Sequence, residues 1–227
     1  MKRKYPLNQD VFSKIDTEEK AYWLGFILAD GNIYINNKNY QQLLQVGLSL
    51  RDKEHLEKLS DFLGTNIPIK INNKVGSCIL QIHSKKIVSD LLKLGIEERK
   101  SGKEKFILLD NEELQRHLVR GYVDGDGSIS FNARNKLYPN NLSPSMTISG
   151  SYEFLQDVDL FLHKSIQSPL TSIHKNNSIF AIGKNSSSAK KVVKFLYSNC
   201  SIFLTRKYKT ALLCINWNPK INKEVSH

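Results

Sequence analysis

Two stretches constrain this chain more than any other feature: "WLGFILADG" at 23–31 and "VRGYVDGDG" at 119–127. Each is an apolar, helix-like run that carries an internal glycine and leaves through Asp-Gly. Gly25 and Ala29 lie four residues apart, as do Gly121 and Gly125, so each pair shares one helix face. A glycine inside a helix costs about 0.5–1 kcal/mol relative to alanine. Close approach of a second helix offsets that cost, and two such faces in one chain can pack on each other.

The acids Asp30 and Asp126 fall in the last helical turn, where the dipole is negative and a carboxylate is disfavoured. Gly31 and Gly127 are expected to end each helix as left-handed C-terminal residues. If the glycine faces pack together, both carboxylates arrive at one place beside exposed carbonyls. Two anions at two negative helix ends call for a cation, and hard oxygens of this kind suit Mg²⁺ or another divalent ion.

The stretches head a longer repeat. After Asp30 come "NIYIN", "LQVGLSL" and the helix-like "DKEHLEKLSDFLG"; after Asp126 come "SISFN", "SMTISG" and "SYEFLQDVDLFLHK". Each half continues with two short strand-like runs and a second helix-like run, and closes on a basic pair holding Lys100 or Lys207. The expected fold is α+β, a pseudo-two-fold tandem of αββαββα halves with two four-stranded antiparallel sheets and the motif helices at the interface. Its parts are a first half over 1–101, a linker over 102–111, and a second half over 112–227 with a basic C-terminal tail. Asp16 or Thr17 is expected to cap the first motif helix, and "DNEE" at 110–113 the second.

Thirty-three Lys and Arg against 22 acids give a formal charge of +11 and a pI near 9.5. That surplus is either a solvated basic surface or a field that attracts polyanions, and with no basic amphipathic helix to lie on a membrane surface, nucleic acid is the expected partner. Three cysteines far apart in sequence point to a reducing intracellular compartment, bacterial or organellar. The basic N-terminus has no apolar segment behind it, so no secretory signal is expected. The six histidines form no zinc-hydrolase pairing. "DGDGSISFNARN" is not an EF-hand loop, because Ile129 and Asn135 stand where glycine and a bidentate Glu are needed.

The two motifs resemble those of the LAGLIDADG homing endonucleases in their monomeric, two-motif form, and the likeness runs from about 16 to 212. The resemblance implies a monomeric double-strand DNA endonuclease that saddles a long, asymmetric target and leaves short 3′ overhangs. It makes Asp30 and Asp126 the metal-binding catalytic acids, with the carbonyls of Ala29 and Gly125 beside them. Mg²⁺ is the implied cofactor; Mn²⁺ or Ca²⁺ would occupy the same sites, Ca²⁺ without supporting cleavage. Lys100 and Lys207 align with basic residues near the solvent pocket, or are phosphate-contacting surface lysines. Two departures stand out: the acid expected two places before the catalytic one is Leu28 in the first copy but Asp124 in the second, and no glutamine closes the second strand, where Leu50 or Arg51 lies.

Outward strand positions are the expected groove contacts: Asn32, Tyr34, Asn36, Lys38, Gln42, Gln45 and Arg51 in the first half. In the second they are Ser128, Ser130, Asn132, Arg134, Thr147, His174 and Lys184. The alternative reading is a non-cleaving nucleic-acid binder, an intron RNA maturase or a transcription regulator on the same scaffold. A metal enzyme acting on a small phosphorylated substrate would explain the acids but neither the charge nor the polar sheet faces.

Overall fold

The computed structural model describes residues 3–36, 41–98, 102–135, 138–176 and 179–219. The first half runs α1 (Glu18–Asp30), β1 (Gly31–Asn36), β2 (Gln41–Ser49), α2 (Lys53–Phe62), β3 (Lys70–Asn72), β4 (Ser77–His83) and α3 (Lys85–Lys93). The second runs α4 (Glu112–Asp126), β5 (Gly127–Asn135), β6 (Tyr138–Gly150), α5 (Tyr152–Ile166), β7 (His174–Asn176), β8 (Ile179–Asn185) and α6 (Ser186–Tyr197). The expected repeat is therefore present. Among the described residues one helix lies outside it: α7 (Thr205–Asn216) carries the basic pair with Lys207 on which the second half was expected to close.

Each half builds a four-stranded antiparallel sheet of the same order, β1-β2-β4-β3 and β5-β6-β8-β7. Ile33, Leu44 and Ile82 are opposite one another across the first sheet and fully buried. In the second sheet Ile148 and Ile182 stand opposite and are buried likewise. Strand alternation thus turns one face of each sheet to the helices and leaves the other polar.

The caps follow local chemistry. Thr17 accepts from the Lys20 amide, and Asn111 from those of Glu113 and Leu114, with Glu18, Glu19, Glu112 and Glu113 complementing the positive ends of the two helices. Gly31 and Gly127 correct the sequence reading. Their φ values are −79° and −98°, extended rather than left-handed, so each helix passes straight into a strand without a turn. Glycine is needed there because a Cβ would come within 2.6 Å of the Ile27 or Val123 carbonyl oxygen.

Helix α1 is buried continuously from Ala21 to Leu28, which a surface helix with one apolar stripe could not be. The two halves are also joined by a partly buried ion pair. Arg120, fully buried, donates to Glu18 at 2.8 Å and to the carbonyls of Ile202 and Leu196 at 3.2 and 3.3 Å, with the Tyr22 ring 5.2 Å away. Among the described residues, no helix is long and apolar enough to cross a membrane.

Candidate active site and nucleic-acid interface

Helices α1 and α4 touch backbone to backbone. A Cβ on Gly25 would stand 1.9 Å from the Leu118 carbonyl oxygen, and one on Gly121 would stand 2.0 Å from that of Tyr22. The contact is reciprocal, as a pseudo-two-fold axis requires. One turn further on, a Cβ on Gly125 would lie 2.3 Å from the Ala29 Cβ and 3.3 Å from Oδ2 of Asp30. The helix ends therefore converge, and both acids border one cleft. Asp30 is half-buried and Asp126 exposed; with Ala29, Glu104 and Ser149 they line a space of ≈ 380 Å³ against the second sheet. Asp30 and Gly125 also border a second cleft of ≈ 530 Å³ against the first sheet, with Arg51, Asp52 and Arg206. The surroundings are electrostatically negative: burial first, then the charges of Asp126, Glu104 and Asp30, push the Tyr122 hydroxyl above its ordinary pKa.

The fit to a metal follows from the donor set. No group of three or more His, Cys, Asp or Glu able to hold an ion occurs among the described residues. Two carboxylates with neighbouring carbonyls suit an ion completed by phosphate oxygens and water, the usual mode of Mg²⁺.

Lys207 is placed differently from the solvent-pocket role. It is buried, and its Nζ donates to the carbonyls of Val123, Asp124 and Gly125 at 2.9, 2.7 and 2.9 Å. The ammonium therefore neutralises the negative end of α4 from within. Burial pulls its pKa down, while the charges of Asp124, Asp30 and Asp126 resist. The Gly125 carbonyl is thus already engaged by a cation, which weakens it as a metal ligand.

Asp124, the acid in the second motif alone, is the hub of a buried network. It accepts from the hydroxyls of Tyr22 and Tyr197 and from the Leu204 amide, each at 2.7 Å. Burial pushes its carboxyl up; the three donors and Lys207 hold the ionised form. Because Tyr22 spends its proton on Asp124, its oxygen must accept from His55 Nε2 at 3.0 Å, leaving His55 Nδ1 unprotonated and without a partner among the described residues. Leu28 takes the matching place in α1 and is equally buried, so the network runs through one half-site only.

Two buried histidines, His55 and His117, make stability depend on pH. Burial lowers His55 to about 3, and burial plus Arg120 lowers His117 to about 4. The unfolded chain binds these protons near pH 6.5 and the folded one does not, so their stabilisation is complete above pH 6.5 and shrinks as pH falls towards 4. Between pH 6.5 and 4.5 the loss should be on the order of 2 kcal/mol per histidine. Urea midpoints that stay level over that interval would contradict the neutral assignments.

The polar sheet faces can be traced row by row. In the first sheet Asn32, Gln45 and Gln81 stand opposite one another, and Tyr34 faces Leu43 and His83. In the second, Ser128 faces Thr147, Ser130 faces Ser145, and His174 faces Ala181.

No protein-family model and no curated protein matches the chain. Solved structures do. The LAGLIDADG meganuclease I-AabMI, bound to uncleaved DNA, aligns over 91% of this chain and 92% of its own at 12% identity, with a TM-score of 0.63. The chain has the fold of the LAGLIDADG homing endonucleases. The meganuclease I-SmaMI, bound to uncleavable DNA with a TTGT central four, aligns over 90% of this chain and 93% of its own at 17% identity and a TM-score of 0.61. The I-LtrWI LAGLIDADG homing endonuclease, bound to target DNA, does so over 92% and 91% at 12% identity and 0.60.

Against the LAGLIDADG fold, the expected site residues divide. Asp30, Asp126, Ala29 and Gly125 come together. Asn32, Tyr34, Asn36, Gln45, Ser128, Ser130, Asn132, Thr147 and His174 lie on the polar sheet faces, and Arg51 borders the Asp30 cleft. Two expected groove contacts are overturned. Lys184 is buried opposite Met146, ion-paired to Asp159 and bonded to Pro169 and Thr171. Gln42 stands opposite Ile35 with the parity of Leu44 and Val46, and its Oε1 is buried without a partner among the described residues. Neither position is outward: the strand alternation sets Gln42 with Leu44 and Lys184 with Ile182 on the apolar faces. Lys38 and Lys100 lie outside the described residues, as does the Arg134 side chain. Gln81 and Lys70 were missed, although the alternation in "SCILQIH" turns Gln81 away from Leu80 and Ile82.

Proposed function

We propose that the chain is a metal-dependent, site-specific double-strand DNA endonuclease of the LAGLIDADG type, acting as a monomer on an asymmetric target. The observation that carries this is the meeting of Asp30 and Asp126 at the packed helix ends, between two sheets with polar outer faces. The DNA-bound state of the structural neighbours supports DNA as the partner, and the +11 charge supplies the attraction to phosphate.

Asp30 and Asp126 would hold Mg²⁺ together with phosphate oxygens and water. The bound ion would polarise the phosphate, activate water and stabilise the leaving 3′ oxygen. The protein's own part is positional. The glycine contact sets the spacing of the carboxylates, Lys207 offsets the negative end of α4, and the Asp124 network holds α6 and α7 against the motif helices. Mn²⁺ in place of Mg²⁺ and an inert Ca²⁺ complex belong to the same reading; intron RNA as a partner belongs to the maturase alternative.

The test is incubation with a randomised duplex library and Mg²⁺, followed by sequencing of the ends. Cutting at one family of long sites with short 3′ overhangs is expected. Selective binding with no cutting in Mg²⁺ or Mn²⁺ would replace the nuclease with a non-cleaving binder.

A further inference from the structure

On the polar face of the first sheet, three side chains form a directed chain of hydrogen bonds. Lys70 Nζ donates to Gln81 Oε1 at 2.6 Å, and Gln81 Nε2 donates to Gln45 Oε1 at 2.8 Å. Lys70 is exposed on the edge strand β3, while Gln81 and Gln45 are half-buried and directly opposite each other on β4 and β2.

We propose that this chain sets the hydrogen-bond polarity of the surface, so that Gln45 selects a keto base, guanine or thymine, over an amino base, adenine or cytosine, at one position of the target. The proposal rests on the DNA-binding reading above and lays this polar face in the major groove, the groove wide enough to admit strands.

The argument turns on what each group can do. An amide between two other amides can sit either way round. An ammonium group can only donate, so Gln81 must turn its oxygen to Lys70 and its NH₂ to Gln45. Gln45 must then meet that NH₂ with its own oxygen. Its remaining group, an NH₂ with no protein partner among the described residues, points onward as a donor. Cooperative polarisation by the lysine charge strengthens that donor. In the major groove, guanine offers the acceptors N7 and O6 and thymine offers O4, whereas adenine sets its N6 amino donor beside N7 and cytosine presents its N4 amino donor. A fixed donor centred on the position-4/6 substituent meets an acceptor on the first pair and an amino donor on the second, adenine leaving it only N7 to one side.

Reversing the end of the chain should reverse the reading. Glutamate at position 70 accepts only, so Gln81 must flip its NH₂ towards it. Gln45 then donates to Gln81 and projects its oxygen, which suits an amino base. Methionine at position 70 imposes no direction and lets both glutamines turn.

The experiment selects bound sequences from a randomised duplex library with the parent, Lys70→Met and Lys70→Glu, in Ca²⁺. The parent should enrich keto bases about tenfold at one position, Lys70→Met should bring that ratio towards even, and Lys70→Glu should invert it. Both changes fall on an exposed edge-strand residue, and matching thermal melts would show that the fold is kept. If all three proteins select the same base with evenly weakened binding, Lys70 supplies charge alone and the relay is wrong. Retention of the parental base by Lys70→Met would also overturn it. A parent that selects no sequence would instead fail the DNA-binding reading itself, and the relay with it.

Discussion

Gly25→Ala and Gly121→Ala are each expected to destabilise the protein by about 3 kcal/mol or more, near or above the top of the usual range for overpacking. Helix propensity alone predicts the opposite sign, since alanine is better than glycine in a helix by about 0.5–1 kcal/mol. Packing wins because the new methyl would stand 1.9 or 2.0 Å from a backbone carbonyl oxygen of the facing helix. A flexible side chain could swing aside, but a helical carbonyl cannot move without moving its helix. Separation of α1 from α4 would also pull apart the ends that carry Asp30 and Asp126. Gly183→Ala is the control: its Cβ would meet nothing within 4 Å, and its midpoint should be nearly unchanged. Urea denaturation decides between the two signs. A Gly25→Ala protein as stable as its parent would mean that the helices do not meet at this residue.

That contact was legible because it is written in residue types that have few other uses. An internal glycine in an apolar helix, found twice at the same offset from Asp-Gly, leaves little besides close helix packing to explain it. Alternation in "NIYIN" and "SISFN" likewise told which faces of β1 and β5 are buried. What escaped the sequence depends on three-dimensional partners. Lys207 reads as a surface cation until α7 turns it onto the end of α4. Asp124 looks like one more acid in an acidic motif, yet its donors come from Tyr22, Tyr197 and Leu204, from 73 to 102 residues away. Lys184 and Gln42 show the reverse failure: the strands already displayed a parity that sets both on the apolar faces. Gly31 and Gly127 were identified as helix ends, but for the wrong reason, since a strand that begins without a turn needs space rather than a left-handed φ.

Asp30→Asn and Asp126→Asn should each abolish double-strand cleavage, lowering the rate by roughly 10²–10³-fold or more, the scale for removing one electrostatic contributor at a reacting centre. The amide keeps the size of the side chain and discards the charge, so the donor set loses what suits it to Mg²⁺. DNA affinity should move the other way. A carboxylate at the cleft repels phosphate, and its removal should leave binding equal or slightly tighter. This opposition separates a chemical role from a structural one, because a protein damaged in its fold would lose binding along with cleavage. The acids differ in burial: Asp126 is exposed and Asp30 half-buried, whereas Asp124 is fully enclosed and accepts from three donors. The form of the residual activity is informative too. If Asp30→Asn still nicks one strand, each acid serves its own phosphate; if neither strand is cut, both carboxylates act on one shared centre. Parental cleavage rates in both variants would remove the acids from the reaction and leave their convergence at the helix ends without a chemical purpose.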